Sequence, residues 1–195
     1  MKNTDFKSEK KPLSSSSICQ IALAGAMICV LSMVSIPLPF GVPITLQTMA
    51  VSLAGLALGQ KKGAAAVCVY LALGALGLPV FSGFKGGFSV IVGTTGGYII
   101  GFMFIPLIYI AVTKLFGESF GAMLAALAAG LCVCYAFGTA WFYIVYAAKS
   151  ESAGLFTILG WCVFPFIIPD LIKAAGAVVF AKRLSFIVKK LRLNS

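Results

Sequence analysis

The sequence predicts an all-α integral-membrane protein: a bundle of six transmembrane helices with both termini in the cytoplasm. Three observations predict it. The first is composition: 61% of the 195 residues are apolar and 10% are charged, against roughly 25% charged in an average soluble domain. A soluble fold of this size leaves many residues facing water and could not hide that much apolar surface, so the bilayer is the solvent. The second is that charges and Gly/Pro clusters divide the chain into apolar runs, each about long enough to cross a ~30 Å hydrocarbon layer. The third is charge placement. The 15 Lys and Arg outnumber the 5 Asp and Glu, for a net charge of +10, and such an excess belongs in the cytoplasmic loops of a membrane protein.

Residues 1–17 read as a polar cytoplasmic tail, because the apolar segment after it lacks an A-x-A cleavage site. Ser14 to Ser17 supply a cap for the first helix. The first span covers 18–35 and ends in the stretch Ile36 to Val42-Pro43, whose three prolines oppose a continuous helix. The second span, 44–59, is closed by Gln60-Lys61-Lys62-Gly63, and the third is 64–78. Residues 77–97 are glycine-rich and hold one charge, Lys85. The fourth span, 98–113, is closed by Lys114 and Glu118, and the fifth, 119–147, by Lys149 and Glu151. Residues 154–164 are apolar but are cut from the next span by Pro165 and Pro169; they lie on the outer surface or re-enter the membrane. The sixth span, 166–181, runs into a basic cytoplasmic tail at 185–195, so the membrane domain is 18–184. With the amino terminus inside, the inner set is Lys2, Lys7, Lys10, Lys11, Lys61, Lys62, Lys114, Lys182, Arg183, Lys189, Lys190 and Arg192. Only Lys85 and Lys149 fall in outer loops, and Lys173 falls within the sixth span. That bias supports a multi-pass cell-membrane protein with both ends inside.

Composition sets aside soluble enzymes, nucleic-acid binders and secreted disulfide scaffolds. The chain has no histidine, which excludes histidine bases, proton relays and metal sites. Its six cysteines (Cys19, Cys29, Cys68, Cys132, Cys134, Cys162) sit in apolar stretches without a C-x-x-C and read as buried thiols. There is no phosphate-cradling G-x-x-x-x-G-K-[ST], no H-E-x-x-H and no G-x-S-x-G elbow. Charges do not recur down the spans as a proton relay requires.

Asp170 and Lys173 carry the chemistry that remains. Charges at membrane depth are costly and face a cavity or each other. Counted back from Lys182, Asp170 lies ~18 Å and Lys173 ~14 Å up the helix at a rise of 1.5 Å per residue, in the outer half of the membrane. Their i,i+3 spacing puts them on one face, and Pro169 suits a first helical turn. They form either an ion pair closing the bundle or a ligand-facing pair. Lys85 and Gly87 in the glycine loop, and Thr94, Thr95 and Tyr98 after it, lie on the same outer side. They could wall a cavity, or the glycines could serve close helix packing. Thr45 and Gln47 open the second span there; Gln47 either bonds a ligand amide or satisfies a helix end. Trp141, Phe142, Tyr143 and Tyr146 read as an interfacial aromatic belt. Ala22 and Ala26, four apart beside Gly25, form a small-residue face that another helix could approach.

At these residues the sequence resembles the BioY family, the biotin-specific S components of energy-coupling factor (ECF) transporters. The likeness runs from about Ile18 to Leu184 and rests on four stretches: Val42 to Thr48, Tyr70 to Phe81, Gly86 to Gly101, and Pro165 to Lys173. Thr94 stands where the family usually has proline, and Pro169 where it commonly has glycine; neither departure removes a polar side chain. The resemblance implies a six-helix bundle of the ECF S-component type that binds biotin from outside with high affinity. It also implies a transmembrane coupling subunit and two cytoplasmic ATPases as partners, with Ala22 and Ala26 docking the coupling subunit. The family's ligand-binding aspartate and lysine map to Asp170 and Lys173. No cofactor is implied, biotin being cargo. The competing readings are a stand-alone secondary transporter or facilitator for biotin or a small carboxylate, a membrane enzyme using Asp170 and Lys173 as acid and base, and a scaffold bundle.

Overall fold

The computed structural model describes residues 14–39, 42–148 and 154–193. The expected tail up to residue 13, the charges Lys149 and Glu151, and the side chains of Lys189, Lys190 and Arg192 lie outside the described residues. Helix α1 (Ser15–Met33) begins where Ser14 Oγ accepts the Ser17 amide at 3.3 Å, satisfying one of the donors that a helix start leaves open. The proline-rich stretch then folds back on itself. Strands β1 (Ser35–Ile36) and β2 (Ile44–Thr45) pair antiparallel across it, Ser35 opposite Thr45.

Helices α2 (Gln47–Leu58) and α3 (Gln60–Ala75) form a hairpin about Gly59, whose φ of 86° suits glycine. The hairpin closes on two further glycines: a Cβ added at Gly63 would lie 2.5 Å from the Gly55 Cα. After the loop come α4 (Phe88–Ile91), α5 (Gly96–Gly101) and α6 (Phe104–Phe116), then α7 (Phe120–Ala147), α8 (Leu155–Cys162) and α9 (Phe164–Leu193).

Among the described residues, four stretches are long and apolar enough to cross a membrane: Ser15–Met33, Gly96–Phe116, Phe120–Ala147 and Leu155–Leu184. Helix α2, with 12 residues, is only ~18 Å long, because the first residues of the expected second span are given to β2 and the turn after it. Length and composition therefore mark four spans where the sequence predicted six.

Two further expectations change. Within residues 154–164, Leu155–Cys162 form α8, packed on α7 and α9 and joined to α9 through Val163. The last helix thus starts at Phe164, so Pro165 occupies its first turn and Pro169 sits inside it. The missing N–H of Pro169 leaves the Pro165 carbonyl without its usual donor four residues on.

The two ends of the bundle differ in charge. Lys62 Nζ donates to Gln20 Oε1 at 2.7 Å, tying the α2–α3 turn to the start of α1. Lys182 Nζ lies 5.1 Å from the centre of the Phe120 ring, tying the end region of α9 to the start of α7. Lysines therefore gather at the end opposite the starts of α2 and α9.

The main core runs through Ile28, Val51, Tyr70, Ile105, Leu127 and Val178. A smaller cluster of Val42, Tyr98, Phe142, Ile158, Cys162 and Phe166 sits toward the other end. This second cluster absorbs part of the expected aromatic belt. Phe142 is buried and stacks on Tyr146 with ring centres 5.6 Å apart, and Trp141 Nε1 donates to the Gly93 carbonyl at 2.9 Å. Tyr143 alone of the four is exposed. Of the cysteines, Cys29, Cys134 and Cys162 are buried, whereas Cys19, Cys68 and Cys132 lie on helix exteriors; an apolar run places a thiol in a span but does not choose its face.

The hairpin yields a stability test. Gly63→Val drives side-chain carbon into the backbone of α2, which cannot give way, so thermal unfolding in detergent should show a loss of about 1–3 kcal/mol. Gly121→Ala, where an added Cβ meets nothing within 4 Å, should be neutral or stabilising by about 0.5–1 kcal/mol.

Candidate functional site

The starts of α2, α5 and α9 converge with the middle of α7 on one cavity. Its lining includes Thr45, Gln47, Thr48, Ser82, Thr95, Tyr98, Tyr135, Asp170 and Lys173. Apolar walls come from Val42, Pro43, Ile99, Phe102 and Phe166, with the thiols of Cys134 and Cys162.

Asp170 is 3% exposed and is the organising group. One helical turn on, Lys173 Nζ reaches its Oδ1 at 2.5 Å. The same oxygen accepts from Thr48 Oγ1 at 3.0 Å, and Oδ2 accepts from the Tyr135 hydroxyl. A buried carboxylate is tolerated only when paired and hydrogen-bonded, and here donors come from α2, α7 and α9. Lys173 Nζ also donates to the Thr45 carbonyl at 2.8 Å, fastening α9 to β2. Deeper in, Gln47 Nε2 donates to the Tyr70 hydroxyl at 2.6 Å, and Tyr70 meets Phe81 edge to face at 5.4 Å between ring centres. Across the cavity Tyr98 shares a 2.7 Å hydrogen bond with Thr139. The Tyr98 ring lies so close on Gly138 that an added Cβ there would be 2.3 Å from it.

Six of the sequence-derived candidates line this space: Thr45, Gln47, Thr95, Tyr98, Asp170 and Lys173. Lys85, Gly87 and Thr94 do not. Lys85 is exposed; its carbonyl accepts the Phe81 N–H at 2.9 Å in a tight turn that carries the side chain outward. Gly87, at φ 99°, gives its N–H to the Gly74 carbonyl at 2.7 Å and so anchors the loop to α3. Thr94 lies in the turn before α5, where it is the neighbouring Thr95 that reaches the cavity. The glycine loop contributes Ser82 instead. Besides Ser82, Thr48 and Tyr135 are the polar residues sequence reasoning missed. Thr48 was within reach as the next residue of the Thr45–Gln47 run. Tyr135 was masked by the apolar α7, although Gly138 and Thr139 three and four residues on mark its face. Ala22 and Ala26 are both exposed on α1, while Gly25 between them is buried against Val69 of α3.

The pairing predicts non-additive stability. Lys173→Met leaves a buried carboxylate without its cation and should cost about 3–5 kcal/mol. In the double variant Asp170→Asn/Lys173→Met no charge remains buried, so thermal unfolding should show a smaller loss than for Lys173→Met alone. A double-variant loss equal to the sum of the single losses would mean the two groups are not coupled.

The BioY family profile matches residues 3–190. A protein of Thermotoga maritima named biotin transporter BioY is 43% identical over 161 residues, covering 82% of this chain and 89% of that one. A probable biotin transporter BioY of Pyrococcus horikoshii is 46% identical over 145 residues, covering 73% and 80%. Among solved structures, the fold is similar to the S-component for biotin from an ECF-type ABC transporter, with a TM-score of 0.77, 31% identity, and coverage of 89% and 95%. With the profile spanning nearly the whole sequence, and relatives and a solved fold agreeing with it, the chain belongs to the BioY family.

Proposed function

We propose that this chain is the biotin-capturing S subunit of an ECF-type importer, a transport subunit rather than an enzyme. The observation that carries the reading is the buried Asp170–Lys173 pair set in the wall of a largely apolar cavity, in a chain of this family. Biotin offers an apolar bicycle and valeryl chain, a ureido group with N–H donors and a carbonyl, and a carboxylate. An apolar pocket with a few placed polar groups suits such a ligand. Asp170 and Lys173 supply an acceptor and a donor one helical turn apart. Gln47, Thr45, Thr48, Thr95 and Tyr98 complete the polar set in this proposal.

The membrane arrangement follows from charge. The α2–α3 hairpin adds two crossings to the four longer stretches, giving six passages through the cell membrane. The lysine-rich end then faces the cytoplasm, with both termini, and the cavity opens toward the outside. The sequence holds no phosphate-cradling G-x-x-x-x-G-K-[ST], so import in this reading requires a transmembrane coupling subunit and two cytoplasmic ATPases. The exposed Ala22–Ala26 face of α1 is the docking surface, because small residues let another helix approach closely.

Calorimetry on detergent-purified protein tests the binding claim. Nanomolar biotin affinity is expected, falling at least about tenfold in Asp170→Asn or Lys173→Ala, as the loss of a charge-assisted hydrogen bond implies. Wild-type affinity in both variants would remove these residues from the site; no biotin binding by the unaltered chain would remove the function. For docking, Ala22→Trp or Ala26→Trp should abolish co-purification with the coupling subunit and leave biotin binding intact. Cells making this chain without ATPases should not accumulate biotin, and uptake there would favour a stand-alone transporter.

A further inference from the structure

Tyr135 lines two hollows at once. On one side is the Asp170 cavity, about 80 Å³ in volume. On the other is an apolar groove of about 470 Å³ between α7 and α8, walled by Ala136, Thr139, Ala140, Leu155, Leu159 and Val163. Small-molecule sites commonly measure roughly 300–1,000 Å³. The cavity by itself falls below that range, and the further space lies beside it in the groove. Two things stand between them: the Tyr135 side chain, held by its bond to Asp170 Oδ2, and the Tyr98–Thr139 pair, which contributes one member to each lining.

Three donors hold the carboxylate of Asp170, with Thr48 and Lys173 on Oδ1 and Tyr135 on Oδ2. With only about 80 Å³ of space beside it, a ligand as large as biotin brings an N–H to this carboxylate by moving a lining side chain aside. Lys173 is also tied to the Thr45 carbonyl, and Thr48 is buried in α2. Tyr135 is half-buried and has the groove beside it. It is the donor with somewhere to go.

We propose that Tyr135 is the gating residue of this binding site: a ligand bearing N–H donors takes over Asp170 Oδ2, and the phenol ring moves into the α7–α8 groove, merging the two hollows. The inference rests on the biotin reading above, whose ureido group supplies such donors. It has a distinctive sign. If the Tyr135–Asp170 bond must break before the ligand can bind, the observed affinity is the intrinsic one reduced by the fraction of open sites. Removing the hydroxyl then strengthens binding, whereas removing a ligand contact weakens it. The direction is reinforced because the carboxylate oxygen left without a donor in the free protein gains one from the ligand.

The test uses the full chain in detergent, with biotin as the probe in calorimetry and in stopped-flow measurement of association. Tyr135→Phe should bind biotin about three- to tenfold more tightly, mainly through faster association, as expected when a closed population is removed. Ala140→Trp, at an exposed groove position, fills the space the ring needs and should weaken binding at least about tenfold by the same arithmetic. Adding Tyr135→Ala to Ala140→Trp removes the ring that has to move. That double variant should return to within about threefold of Tyr135→Ala alone, a coupling that independent sites would not show. Weaker binding by Tyr135→Phe, or wild-type binding by Ala140→Trp, overturns the gate while leaving the biotin reading in place. No binding by the unaltered chain overturns that reading, and the gate with it.

Discussion

Everything at the cavity end of this bundle is organised by one buried carboxylate. Moving a charge out of water costs several kcal/mol even after relaxation, so Asp170 persists at 3% exposure only because donors from three helices meet on it. Each donor is also a structural tie. Thr48 holds α2 to α9, Tyr135 holds α7 to α9, and Lys173 reaches past the carboxylate to the backbone of β2. Among the described residues no buried side-chain nitrogen or oxygen lacks a partner, so the polar groups of this end satisfy one another.

The rest of the bundle is built to let these helices come close. The Gly55–Gly63 approach shapes the α2–α3 hairpin, and Gly138 gives the Tyr98 ring its seat on α7. Without a side chain, backbone and ring approach to distances that a Cβ would forbid, and in a bilayer such packing carries much of the association energy between helices. The charge asymmetry is a separate design element. Lysines gather at one end, where Lys62 and Lys182 also make contacts between helices. The buried Asp170–Lys173 ion pair lies at the other end.

How much of this was legible in the sequence depends on range. The Asp170–Lys173 pair was legible because its partners are one helical turn apart, so spacing alone puts them on one face. Thr45, Gln47, Thr95 and Tyr98 could be grouped by the side of the membrane that charge placement led one to expect for them. Lys85, Gly87 and Thr94 shared that side but not the cavity, because a tight turn and its backbone bonds, invisible in composition, aim them elsewhere. Tyr135 was hidden for the opposite reason. Its hydroxyl lies in a strongly apolar helix, and its partner is 35 residues away.

By itself, the sequence determined the solvent, the helical class, the basic end and the chemistry of the site, since each depends on residue type and short spacing. Tertiary structure decided where the last helix begins, that residues 155–162 form a separate helix, that α2 is too short to count as a span by length, and which hydroxyls meet the carboxylate. Those outcomes depend on which helices come into contact, and contact is set by packing between residues far apart in the chain.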